Sequence, residues 1–398
     1  MKRKFSMLLL LTMLLPLTSC NSLEGKEIEA GEMPRGGKEV TYQEVKQAME
    51  EKENEQTLPN ALRLSMSSDS IKYETSQYNT YVDGTKLDKV AVELNNLTSN
   101  IEVDGLVNAK SISELNAKAS LSTNVKIDLD DLHISQNSTE VLELLNNTNI
   151  SINSYITHSN LYLDMNDSTN YFVNSLIYGE TTTQEIIPSK FYLDASLIFP
   201  NETFPLLSEN NGNSDELLSI EIPGLEIDIP RISQEATDKL YTILCDEFVS
   251  IKKYKDEFIA VINLNGQMID NSAEKIFKQL YDEGVLDELY DDAEPINQEQ
   301  YTQYLGDFKE QLQLVKDDLK TLKITAKFDS KGVSEVYVDI LYERQAKQST
   351  DSSLEDNSGE LIDLDYAIKY EYFDSLEIQF PEFDSSYESL LAKLGGLM

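Results

Sequence analysis

Positive charge is scarce in this sequence: 33 Lys and Arg stand against 71 Asp and Glu, which leaves −38 at pH 7 over 398 residues. Such a chain repels phosphates, and the basic stripe that nucleic-acid binding requires is missing. Clustered Lys or Arg for contact with an anionic membrane surface is missing too from everything after the N-terminal leader. What the acidic exterior does favour is solubility and the attraction of cations or basic peptides.

Imidazoles and thiols are nearly as rare, with two His and two Cys. A catalytic nucleophile needs a base within hydrogen-bond reach. His133, between Leu132 and Ile134, falls on the polar side of an expected strand, and His158 falls in an expected turn, so both read as surface residues. Cys245 follows Leu244 within an expected helix and reads as a buried structural thiol. Ser-x-x-Lys occurs twice, at Ser250–Lys253 and Ser272–Lys275, without the companion elements of a penicillin-recognising enzyme. Neither Gly-x-Ser-x-Gly, a phosphate-cradling glycine loop nor His-Glu-x-x-His is present. Asp164, Asn166 and Asp167 begin like a calcium loop, but Thr169 and Ser175 stand where glycine and glutamate are required. The acidic runs at 128–131 and 289–294 read as solvated faces. No metal or cofactor is expected, and the expectation is a non-enzymatic protein. A carboxylate pair suited to glycoside hydrolysis is the catalytic alternative, with no pair singled out.

The N-terminus carries the sharpest signal. Lys2, Arg3 and Lys4 precede an apolar run from Phe5 to Leu17, then Thr18, Ser19 and Cys20. This order is that of a signal peptide, and the run falls short of the roughly 20 residues a membrane-spanning helix needs. Leu17, Thr18, Ser19 and Cys20 resemble the lipobox of bacterial lipoproteins. That resemblance implies cleavage before Cys20, a diacylglyceryl group on its sulfur, and a chain held on the outer side of a cell membrane by its acylated N-terminus. Two acyl chains suffice for stable anchoring. Only Cys245 then remains as a thiol, so no intramolecular disulfide forms. The expected division is a signal peptide at 1–19, a lipidated tether at 20–38 made flexible by Gly25, Gly31, Pro34, Gly36 and Gly37, and a folded part at 39–398. A subdivision near 200–232, where Pro200, Pro205, Pro223 and Pro230 mark a long connection, is left open.

Within the folded part, Thr41 and Glu44 form a capping box with Val40 and Val45 as its staple, so a helix begins there and is expected to run to about Glu55. From Ala61 to Phe199 the period becomes two. Leu115, Ala117, Ala119, Leu121, Val125, Ile127 and Leu129 alternate with polar residues, as do Val90, Val92 and Leu94, and Leu161, Leu163 and Met165. Alternation this long argues for a large, curved antiparallel sheet. Helices are expected from Ser233 (Leu240, Ile243, Leu244 and Phe248 inward), from Asn271 (Ile276, Phe277 and Leu280 inward) and near the C-terminus (Tyr387, Leu390, Leu391, Leu394). The strongest starts at the Asn297–Gln300 box, with an apolar stripe from Tyr301 through Phe308, Val315 and Leu319 to Leu322, about 37 Å long. Strands return as an Ile324–Tyr342 hairpin, at Leu364–Tyr372, and at Leu376, Ile378 and Phe380.

The fold class is therefore α+β: a large curved antiparallel sheet, half-barrel-like, with several helices on one face. Behind a lipobox, the 297–342 stretch and the long alternations resemble the half-barrel of LolA-type lipoprotein carriers and LppX-type lipid-carrying lipoproteins. The resemblance implies an apolar cavity between sheet and helices that takes a lipid or other hydrophobic ligand. On that expectation acyl chains lie against Ile324, Phe328, Val336, Val338 and Ile340, opposite the stripe from Tyr301 to Leu322. The alternatives are that these faces fill each other, or that the acidic exterior binds a protein, peptide or cation.

Overall fold

The computed structural model describes residues 29–53, 59–81, 84–107, 115–128, 146, 148–157, 160–178, 186–194, 233–290, 295–330, 332–347 and 358–395. Cys20, His133, His158, Leu129 and the 200–232 connection lie outside them.

Among the described residues, thirteen strands make one open sheet. They are β1 (Lys38–Glu39), β2 (Ala61–Tyr81), β3 (Gly84–Asp104), β4 (Asn116–Asp128), β5 (Thr148–Thr157), β6 (Asn160–Met165), β7 (Lys190–Asp194), β8 (Val249–Tyr254), β9 (Glu257–Leu264), β10 (Leu319–Asp329), β11 (Gly332–Arg344), β12 (Gly359–Phe373) and β13 (Glu388–Ser389). Their order across the sheet is β1-β8-β9-β10-β11-β12-β2-β3-β4-β5-β6-β7-β13. All neighbours are antiparallel except β13 and β7, which run parallel. The large antiparallel sheet of the sequence reading is what the chain forms.

Two adjacent bulges keep its apolar residues on one side. Ile71 pairs with Leu364 and Ser67 with Ala367, so β2 carries one residue more than β12 over that stretch. In β3 the extra residue lies between Asn95 and Thr98 relative to β4, with Asn96 in the left-handed region at φ 53°. A bulge bends its strand and raises local twist. It also shifts the parity of the alternation. Met66 and Ile71 are five positions apart, yet their partners Ile368 and Leu364 are four apart, so both point to the same face.

Helices α1 (Tyr42–Glu53), α3 (Gln234–Phe248), α4 (Gly266–Asp282), α5 (Val285–Leu289) and α6 (Gln298–Lys316) gather over the β8–β11 end; α2 (Asp167–Tyr178) lies by β5, and α7 (Leu390–Gly395) is C-terminal. The Thr41–Glu44 box forms as read, with Thr41 N donating to Glu44 at 2.8 Å and Glu44 N to Thr41 at 3.2 Å. Val45 is then buried among Ile251, Phe258, Ala260 and Phe328. Ser233 caps α3, and Asn297 with Gln300 completes the box at α6.

Three expectations shift. Helix α4 starts at Gly266 behind the cap Asn265, not at Asn271, although Ile276, Phe277 and Leu280 do point inward. Any Cβ on Gly266 would collide with the carbonyl oxygens of Val315 and Lys316, so glycine is what lets α4 approach α6. Helix α6 ends at Lys316, about 28 Å from its start. Leu319 and Leu322 belong to β10, where a bulge between Leu319 and Thr321 puts both on the face shared by their partners Tyr342 and Ile340. The 376–380 alternation forms no strand. It is an extended segment whose Phe380 and Phe383 join Tyr155, Tyr162 and Tyr387, with Tyr162 and Phe383 stacked at 3.8 Å.

Candidate ligand-binding face

The sheet has two unlike faces. On one, the polar partners of the alternation pair with one another: Arg63 donates to Glu102 at 2.9 Å and to Glu371 at 3.1 Å, and Lys126 lies 3.4 Å from Glu93. The opposite face is apolar from β9 to β6. Rows run straight across it by register, such as Tyr370, Leu64, Ile101 and Ala119, and beside them Tyr372, Leu62, Val103, Ala117, Ile156 and Leu161.

Helices fill only part of this apolar face. Ile324, Val336, Val338 and Ile340 are buried beneath Phe248, Ile269 and Val315, and Phe328 beneath Val45. Burial of each such side chain contributes roughly 1.5–3 kcal/mol. At these five residues the expected ligand surface is instead packed by protein. The α6 stripe likewise turns to other helices: Tyr301, Tyr304, Leu305 and Phe308 pack against Phe277, Leu280, Leu286 and Ile296. A stripe read as facing the sheet faces a helical layer, because α3, α4 and α5 offer it an apolar surface closer at hand.

Beyond the helices, the apolar face continues half open. Leu62, Leu64, Met66, Ile101, Val103, Ala117, Ala119, Leu121, Ile152 and Leu161 are each only partly buried among the described residues. At its border Tyr366 and Tyr370 have phenols held above their ordinary range by burial. Tyr73, on the same face through its pairing with Ile362 and Val92, is 43 % exposed.

A second concavity lies on the polar face. A recess of ≈ 380 Å³ is lined by Glu29, Glu32, Asn263, Lys323, Tyr337, Asp339 and Asp365, with Lys323 2.7 Å from Asp339. Burial, then Asp339, Asp69 and Asp363, raise the Asp365 carboxyl. Nothing in the sequence pattern marks this recess, because its wall comes from residues 29–32, more than 230 positions from the strands they meet.

The residues weighed for catalysis are placed as follows. Burial pushes the Cys245 thiol up to about 12, which leaves it unreactive. Ser250 pairs with Val261 and Lys253 with Phe258, three positions apart on a strand and so on opposite faces, where they cannot share a proton. Lys253 sits instead over the Phe258 ring at 5.4 Å. Ser272 and Lys275 both bind Glu247, whose carboxylate is lowered by Lys275 and then by Ser272, tying α4 to α3. Asn166 accepts from Thr169 N at 2.8 Å at the start of α2, and Asp164 pairs with Lys190 at 3.2 Å. Of the 289–294 run, Tyr290 stacks on Tyr304 at 4.0 Å. Among the described residues no group of three His, Cys, Asp or Glu is close enough to hold a metal ion, and no helix is long and apolar enough to cross a membrane.

The fold thus defines an open antiparallel sheet with a helical layer on one end of its apolar face. Comparison with protein families finds none that matches the chain, and comparison with curated proteins finds none either.

Proposed function

We propose that this protein is a lipoprotein anchored through Cys20 at the outer side of a cell membrane, and that it binds a lipid or similar hydrophobic ligand without chemical conversion. The observation that carries the reading is the half-open apolar face on β12 and β2–β6. Its alternating Leu, Ile, Val and Ala are arranged as a core would be, and while Val125, Ile127 and Met165 on it are buried, the rows through Leu62, Leu64 and Ile101 are only partly covered; incompletely covered apolar surface marks interaction sites. Acyl chains laid on these rows would lose about 25 cal/mol of unfavourable hydration per Å² covered. A membrane-anchored position supplies such chains at close range.

Native mass spectrometry with lipid extraction, on the chain from Asn21 to Met398 expressed in bacteria, tests the binding. A co-purifying mass identified as lipid is the expected result. An apo mass that also takes up no fluorescent fatty acid would overturn it. The anchoring is tested separately: Cys20→Ser moves the protein from the membrane fraction to the soluble fraction, and a variant that stays with the membrane refutes the lipobox reading.

The recess under Glu29 and Glu32 favours a second reading, an interaction protein that takes a basic side chain there. Four carboxylates surround one lysine, so the recess attracts cationic groups. Salt-sensitive binding of a basic peptide, with no lipid found, would select it.

A further inference from the structure

Residues 29–37, expected as slack tether, are laid across the polar face of β8–β10 as a strap. Gly31 N donates to Thr325 Oγ1 at 3.0 Å, Thr325 Oγ1 donates to the Glu29 carbonyl at 3.0 Å, and Tyr254 OH donates to the Pro34 carbonyl at 2.6 Å. Gly37, at φ 75°, packs so tightly on the Tyr254 ring that a Cβ would collide with it. Met33 closes over Ile259 and Val261. Strand β1 then pairs with β8.

Charge is trapped at the same end of this face. Lys327 is 1 % exposed and Glu257 7 %. Glu257 stands directly across from Tyr254 in one neighbouring strand and from Asp329 in the other. Both of its carboxyl oxygens are buried and accept no hydrogen bond. The nearby cation is already engaged: Lys327 lies 3.4 Å from Glu335, which also accepts from Tyr337 at 2.7 Å. The groups around Glu257 are Tyr254 on β8 and Asp329 on β10, directly across from it, with the charges of Asp256 in the turn, Lys327 on β10 and Glu335 on β11, the last bound by Tyr337. An ionised carboxylate buried without a donor costs several kcal/mol.

We propose that Glu257 is a proton-carrying latch for the strap, closed while the carboxyl is protonated and opened when it ionises. Ionisation adds a charge beside Asp256, Asp329 and Glu335 that has no hydrogen-bond donor in the closed form and only the already engaged Lys327 to offset it, so water must reach it. Tyr254, directly across from Glu257, is the residue that pins the strap at Pro34 and Gly37, so hydrating the carboxylate displaces that pin. Burial raises the Glu257 carboxyl, with Glu335 and Asp256 adding to the shift and Lys327 opposing it. A group whose folded value is raised stabilises the closed form below its unfolded value and loses that contribution as pH climbs through the folded one. The latch therefore opens on the alkaline side. Its consequence for the domain rests on the anchor at Cys20: releasing residues 29–37 lengthens the free tether by nine residues, at most about 30 Å of reach.

Hydrogen exchange of strap amides in the full chain, corrected for intrinsic rates and followed from mildly acid to mildly alkaline pH, tests this. Strap opening should rise about tenfold per pH unit from the ordinary carboxyl range of the open form up to the raised value of the closed form, the slope of one released proton, and level off above it. Glu257→Gln should hold the strap closed at every pH. Infrared spectroscopy of the unmodified chain gives a check that needs no variant: a protonated buried carboxyl band should vanish over the same pH range. PH-independent strap protection, a pH dependence retained in Glu257→Gln, or no such band would each overturn the latch.

Discussion

Phe277→Ala should remove about 3–5 kcal/mol of stability, the usual cost of emptying a large buried aromatic site. The side chain is 2 % exposed, stacked on Phe308 at 5.2 Å and tilted against Tyr301 at 5.6 Å. Around it lie Leu240, Ile243, Leu280, Leu286 and Ile296, contributed by α3, α4, α5 and the residue ahead of the α6 cap. One ring thus joins four helices, through the cluster of α3, α4 and α5 and the Tyr301 and Phe308 rings of α6. Total stabilities of roughly 5–15 kcal/mol make such a loss large. Denaturant titration followed by circular dichroism is the measurement. A change under about 1 kcal/mol would mean that the helical layer is not packed around this ring.

The same layer shows why some of the fold is legible in sequence and some is not. Capping boxes are local chemistry, and Thr41–Glu44 and Asn297–Gln300 each lie within a single turn, so the spacing alone finds them. Alternation is legible wherever a strand has one dry and one wet face, as in β4 and β11. Strand β9 is dry on both: Phe258, Ala260 and Ile262 face the helix side, while Ile259 and Val261 are covered by the strap. Covered on both sides, it reads as an undirected apolar run, and the β8–β9 hairpin escapes a period-two search. The α6–β10 boundary is obscured differently. Val315, Leu319 and Leu322 happen to repeat at helical spacing, although Asp317 ends the helix between them. The apolar face was legible as a surface, but not which part of it the helices fill, because that depends on contacts such as Phe248 and Ile269 with Val336 and Val338. The strap was illegible for the same reason, since Gly31, Pro34 and Gly37 signal flexibility until Thr325 and Tyr254 bind them.

Leu64→Glu combined with Ile101→Glu should abolish lipid capture while leaving the fold in place. The two residues face each other across β2 and β3 in the half-open row and are both only partly buried, so their new carboxylates remain hydrated in the empty protein. A bound acyl chain would have to strip that water from two adjacent charges, each costing several kcal/mol. A loss of 3 kcal/mol is already more than a hundredfold in affinity. Ile340→Glu provides the contrast. It lies on the same face but beneath the helical layer, 3 % exposed, so there the charge is forced into a packed core and the cost falls on folding. Melting temperature and fluorescent fatty-acid uptake, measured on both variants, separate the outcomes. If the double variant melts as the parent does and loses uptake, the open rows are the ligand site. If it unfolds as Ile340→Glu does, the chain covers these rows itself, and the apolar face is core along its whole width.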